Sequence, residues 1–192
     1  MAAQSQSAAG EVRTTPRPAP AREPGWRLSP NARKATLLVH VASAGAWLGL
    51  DIAMAVVVFT AVASDDESKK ALCYRALDLF VVWPLLTTGL VCLASGLLLG
   101  YGTVWGIFKH WWVVTKLGLN LVLTGLVPIA LWPEVTKLAD AGRDFVAGGA
   151  VTFDESNIIF PPIVSPAALL IAFILAIWKP WGRIRKDPRR RQ

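Results

Sequence analysis

Polar and aromatic side chains recur on one face of an apolar stretch near the start of the chain. Their spacing of three or four positions places five residues on one side of an α-helix: His40, Ser43, Trp47, Asp51 and Met54. This stripe must face protein rather than lipid, because a charge near the bilayer centre costs about 2.5–3.5 kcal/mol on insertion scales. Its chemistry would be ligation of haem iron by the imidazole or proton relay by the carboxyl.

Lys116 and Asn120 are polar residues one turn apart in a second apolar stretch. In an antiparallel bundle His40 and Lys116 each lie about five residues inside the same membrane face, at 1.5 Å per residue, so they share a layer. An imidazole in a four-helix core is the usual ligand of haem iron, and a lysine beside it balances a propionate or supplies a second ligand. We therefore predict a haem b site with His40 as iron ligand, built from four residues: His40, Trp47, Lys116 and Asn120.

Each of these residues also has a structural interpretation. The Lys116 ammonium can extend to the cytoplasmic headgroups along its four-carbon stem. The His40 imidazole can be a hydrogen-bonded packing group between helices. His110 lies at the membrane edge, about 120° around the helix from Lys116, and is expected to be solvated.

Asp51 belongs to the other half of the same span, where Arg75 and Asp78 begin the next one. The three residues predict a structural ion pair, with a proton relay as the alternative. Small and polar residues in the second span predict close helix packing: Thr87, Thr88, Gly89, Cys92, Ser95 and Gly96.

The composition indicates a membrane as the solvent of these elements. Of 192 residues 54% are hydrophobic and 17% charged, and the mean hydropathy is +0.45. The net charge of +7 is concentrated in basic segments at the two ends, which indicates membrane topology rather than nucleic-acid binding. The two cysteines, Cys73 and Cys92, form no CxxC motif, so neither zinc nor a disulfide framework is indicated.

The fold prediction is an all-α transmembrane four-helix bundle with both termini cytoplasmic. The four spans are expected at about 35–63, 77–100, 112–132 and 163–178 of a membrane domain covering 34–181. A proline-rich disordered tail at 1–33 precedes it and a basic tail at 182–192 follows. The loops at 64–76 and 133–162 should face outward, the second with a short interfacial helix near 134–141. The first apolar run is too long for a signal peptide.

Three short motifs carry a family resemblance over about residues 35–126: "HVASAGAWLGL", "WPLLTTGL" and "HWWVVTKLGLNLVLTG". With His40, Trp47 and Gly49 in an H-x6-W-x-G arrangement, the first motif resembles the first helix of the HemJ and CopD-like superfamily of small bacterial membrane proteins. The resemblance implies that His40 and Lys116 are functional residues associated with haem and protoporphyrinogen oxidation. No Met/His cluster that would bind copper accompanies it in the sequence.

The function expected from the sequence is that of a non-enzymatic, multi-pass protein of the bacterial inner membrane. It would hold haem or a similar small ligand in its polar intramembrane layer. The alternatives are a HemJ-like, haem-dependent protoporphyrinogen oxidase and a small transporter or accessory membrane subunit. The expected partners are the lipid bilayer and either a second copy of the chain or another membrane protein, with no nucleic acid.

Overall fold

A computed structural model describes residues 28–101 and 111–178, which form helices joined by short connections. Four helical stretches are long and apolar enough to cross a membrane: Pro30–Val62, Glu67–Tyr101, Trp111–Val146 and Pro161–Trp178. Over the two described ranges no strand is present, so the predicted all-α bundle with four spans is confirmed. His110 lies outside these ranges. The predicted tails at 1–33 and 182–192 also lie outside them, apart from residues 28–33.

The first helix, α1, spans Pro30–Val62 and begins within the segment predicted as tail. Ser29 caps it, since its hydroxyl oxygen accepts from the Ala32 N–H at 3.2 Å, and Pro30 occupies the first turn, where no N–H is needed. The buried residues of α1 follow the predicted stripe: Ser43, Ala44, Trp47, Asp51, Met54, Val58 and Ala61. The stripe therefore faces the bundle.

The second span is divided into α2, Glu67–Phe80, and α3, Val82–Tyr101, which continue through Val81. The Asp66 carboxylate caps α2 by accepting from the Ser68 N–H at 2.9 Å. The loop predicted at 64–76 is thus wrong over most of its length. Its residues are good helix formers that bury one face, although their charges lower the hydropathy below that of a membrane span.

The third span comprises α4, Trp111–Leu126, a π-helical turn at Val127–Leu131, and α5, Trp132–Val146. Pro128 lies in the turn, and its missing N–H removes one α-helical hydrogen bond there. The loop predicted at 133–162 is therefore shorter and covers only 147–160. In place of the short helix predicted near 134–141, the structure has the longer helix α5, which continues the third span. The fourth span is α6, Pro161–Trp178.

The helices pack in two groups. Within the apolar part of the chain, α1 contacts α3 and α6, and α4 contacts α3 and α6. The more polar α2 and α5 pack on each other, with the backbones closest where Gly142 meets Ala71. At one end of the bundle α1 and α4 begin, and α3 and α6 finish; we call this the termini end. The opposite end, which contains the α1–α2 connection, is the turn end.

The connection at 147–160 is fixed to the turn end by buried and paired side chains. Ile158 is fully buried in the core. The Glu155 carboxylate accepts from the Tyr74 hydroxyl at 2.6 Å and pairs with the Lys70 ammonium at 3.1 Å. Asp154 lies 2.9 Å from Lys137, and this ammonium lowers the pKa of the Asp154 carboxyl to about 2. This connection is therefore packed against the helices and held there by its side chains.

We predict that Gly142→Ala destabilises the protein by about 1–3 kcal/mol, the usual cost of overpacking. A Cβ at this position would lie 2.9 Å from the main-chain oxygen of Ala71, and backbone atoms cannot rotate away. Gly118→Ala is the control, because a Cβ there meets no atom within 4 Å. Thermal unfolding in detergent should separate the two variants, and equal midpoints would contradict the close α2–α5 approach.

Candidate functional site

A cavity of about 450 Å³ lies at the termini end between α1, α3, α4 and α6. Its volume is within the range of small-molecule sites, roughly 300–1,000 Å³. Most of its wall is apolar, and the ionisable or amide side chains that line it among the described residues are Arg33, His40, Cys92, Lys116 and Asn120. An apolar cavity with a few convergent polar groups is the usual form of a ligand site.

His40 enters the cavity wall from α1 and is held by the backbone of α3. Its Nδ1 lies 3.0 Å from the main-chain oxygen of Cys92 and 3.1 Å from the Ser95 hydroxyl oxygen. The Cys92 oxygen can only accept, so Nδ1 carries the proton and donates. The Ser95 hydroxyl donates to the main-chain oxygen of Val91 at 2.6 Å and so accepts from the ring.

This hydrogen bond fixes the chemistry of the other ring nitrogen. In the neutral ring with its proton on Nδ1, the Nε2 atom of His40 holds a lone pair, and no described residue forms a hydrogen bond with it. A backbone carbonyl on Nδ1 is the arrangement that orients ligating histidines and increases their basicity. His40 is therefore prepared to bind an electron-pair acceptor in the cavity.

Two glycines of α3 receive aromatic rings of α1. A Cβ at Gly96 would lie 3.1 Å from Cε1 of His40, and one at Gly89 would lie 3.0 Å from the Trp47 ring. Both pairs are seven residues apart on their helices, so they define one antiparallel register. The predicted close packing at Gly89 and Gly96 is confirmed.

Trp47, predicted as part of the ligand site, lies elsewhere. Its side chain is 1% exposed, between Gly89 and the core, and it is absent from the described lining of the cavity. The Trp47 indole fills the space, or notch, that Gly89 leaves because it has no side chain. Trp47 therefore has a packing role. The H-x6-W spacing is thus a feature of the α1–α3 interface, with only the histidine at the cavity.

Lys116 and Asn120 lie on the cavity-lining face of α4, and the structure brings both to the cavity of His40. The Lys116 ammonium is 6.0 Å from the centroid of the Trp112 ring, and no described acidic residue pairs with it. The Asn120 carbonyl oxygen accepts from the Thr124 hydroxyl at 3.3 Å. The cavity therefore holds a cation without an anionic partner among the described side chains.

The predicted group of Asp51, Arg75 and Asp78 is not brought together. The Asp51 carboxylate accepts from the Ser165 hydroxyl of α6 at 2.7 Å, whereas Asp78 pairs with Arg143 of α5. Continuing the α1–α3 register into α2 places Arg75 about ten residues, or about 15 Å, along α1 from Asp51. Arg75 packs beside Gly142 instead, so the expected pairing with Asp51 is not formed.

Sequence reasoning missed the contribution of the backbone and of α6. The main-chain oxygen of Cys92 has no signature in the sequence, and Arg33 was assigned to the tail. One signal was available on α6, where small residues recur every fourth position and line the cavity: Ala168, Ala172 and Ala176. Small residues at this spacing leave room between helices.

The fold and this cavity define a multi-pass membrane protein with a ligand-sized site at the termini end of a four-span bundle. Compared with known proteins, the chain matches no family model, no curated protein and no solved structure. Among the described residues, no three His, Cys, Asp or Glu side chains cluster as a metal site.

We predict that His40 is neutral with its proton on Nδ1. The chain has two histidines, so ¹⁵N-histidine NMR of the protein in detergent, with His110→Gln for assignment, reports on His40 alone. The expected spectrum shows a protonated Nδ1 and an unprotonated Nε2 for this ring. An unprotonated Nδ1 would contradict the hydrogen bond to Cys92, because the carbonyl oxygen cannot donate, and a proton on both nitrogens would contradict the neutral state.

Proposed function

We propose that this protein binds haem b, or a similarly flat amphiphile with anionic groups, in the cavity at the termini end. The observation that carries the proposal is the His40 ring, which donates from Nδ1 to Cys92 and leaves the Nε2 lone pair at the wall of an apolar cavity. This arrangement suits a proximal haem ligand. Haem bound there would supply one-electron redox chemistry.

The other polar groups of the cavity fit the same ligand. Haem joins an apolar ring to two carboxylates, and the cavity joins apolar walls to the cations of Arg33 and Lys116. Lys116 also lacks a described anionic partner, which a propionate would provide. A buried cation is stabilised by such pairing.

We place the termini end on the cytoplasmic side of a bacterial inner membrane. Lys and Arg accumulate on the cytoplasmic side of membrane proteins, and both terminal segments of this chain are rich in them. The segments at the turn end carry acids that roughly balance their bases. In this orientation the ligand would bind within the cytoplasmic half of the bilayer.

We predict that the purified protein, expressed with haem supplied, shows a Soret band that His40→Ala reduces at least tenfold per mole of protein. The band should fall because this variant lacks the one imidazole among the described residues that line the cavity. His110→Ala is the matched control and should keep the band. Absence of a Soret band from the wild type, or an unchanged band in His40→Ala, would overturn the proposal.

Protoporphyrinogen oxidation is a second candidate function. The resemblance to HemJ implies it for His40 and Lys116, and both residues line the same cavity. This candidate predicts that the chain rescues a bacterial strain lacking protoporphyrinogen oxidase. Lys116→Met, which keeps the length but removes the charge, should then bind haem and fail to rescue. If the wild type binds haem but does not rescue the strain, the oxidase function is excluded and haem binding is retained as the proposal.

A further inference from the structure

A second polar site lies toward the turn end, away from the proposed haem cavity. Asp51 is 1% exposed, and its Oδ2 atom accepts from the Ser165 hydroxyl at 2.7 Å. Its Oδ1 atom is buried and has no hydrogen-bond partner among the described residues. Buried polar atoms are nearly always satisfied in native proteins, so this oxygen retains the capacity to pair with a ligand.

A groove of about 580 Å³ runs from Asp51 along α1 to Ala63 at the turn end. Its lining residues follow one face of α1, with a proline of α6 beside them: Asp51, Ile52, Ala55, Val56, Phe59, Thr60, Ala63 and Pro166. Ile52 and Val56 are 56% and 63% exposed, so the groove is open along its side. Because its walls are apolar, it admits molecules that dissolve in lipid.

The surroundings of Asp51 provide no positive charge. The α6 helix contains no titratable residue, and continuing the α1–α3 register places Leu85 of α3 opposite Asp51. On α2, which also packs on α1, Arg75 lies beside α5 and Asp78 pairs with Arg143 of α5. Of the two lysines of α2, Lys70 pairs with Glu155 and Lys69 is exposed. The carboxyl thus lacks a cation on every described helix packed around it.

We propose that Asp51, Ser165 and this groove bind a lipophilic organic cation, a quaternary ammonium or phosphonium carrying apolar groups. The Asp51 carboxylate supplies the countercharge and Ser165 orients it. The groove accepts the apolar substituents, and the exposed Phe59 ring in its wall offers a π-face to a positive centre. The site does not depend on haem binding.

Cation binding is coupled to release of a proton. Without a cation, burial in an apolar interior favours the protonated form of Asp51, because an ionised carboxyl there has no partner of opposite charge. When the cation binds, the carboxyl O–H bond breaks, its proton goes to solvent, and the carboxylate pairs with the cation. Proton and cation therefore compete for one carboxyl, and affinity should rise with pH, by up to about tenfold per unit, until Asp51 is ionised in the free protein.

The test measures binding of tetraphenylphosphonium to the full-length protein in detergent by equilibrium dialysis between pH 6 and pH 8. We expect saturable binding that tightens with pH and a binding-linked release of protons to a weakly buffered solution. Asp51→Asn, which keeps the side-chain shape, should weaken binding at least tenfold and remove the pH dependence. Asp65→Asn is the control, because it makes the same substitution at an exposed carboxyl outside the groove.

A second variant keeps Asp51 and blocks the groove. Ala55→Trp fills the apolar wall and should weaken binding at least tenfold even if Asp51→Asn fails to fold, with size-exclusion elution and thermal unfolding as checks on structure. Binding that is absent from the wild type would overturn the proposal, as would equal affinity in Asp51→Asn or pH-independent affinity. The haem spectrum of each variant reports separately on the other site.

Discussion

The insertion of two α1 rings into two glycine notches of α3 is the interaction on which the rest of the structure depends. His40 occupies the notch at Gly96 and Trp47 the notch at Gly89. Association of helices in lipid relies on close packing rather than on the hydrophobic effect, so contacts of this closeness set which faces meet. The same register directs the Asp51 carboxyl to α6 and the His40 imidazole to the cavity wall.

The turn end of the bundle is held together by a different set of interactions. There α2 and α5 carry charges, and ion pairs join them to each other and to the 147–160 segment, as in Lys70 with Glu155 and Arg143 with Asp78. The Arg143–Asp78 pair is weak because water screens it, and the less exposed Lys70–Glu155 pair gains part of its attraction at the cost of desolvation. The backbone approach of Gly142 to Ala71 and the burial of Ile158 therefore do more to hold the layer, and the charges select its arrangement.

Hydropathy and helical periodicity were sufficient to predict four spans and the buried face of α1, because lipid requires long apolar helices and segregates polar side chains inward. They failed for α2 and α5, whose charged residues resemble loops although tertiary packing keeps them helical. They also failed for Arg75, since pairing between helices depends on register. No sequence pattern reveals that the Cys92 main-chain oxygen orients His40.

The polar groups of α1 differ in whether other described residues form hydrogen bonds with them. Ser43 donates to the main-chain oxygen of His40, and such local bonds leave nothing vacant. By contrast, Nε2 of His40 and Oδ1 of Asp51 have no described partner, although a leucine in either position would avoid the cost of desolvation. An imidazole nitrogen beside a cavity and a carboxyl oxygen beside a groove differ in the ligands they would accept, so the two proposals made for this helix call for different ligands.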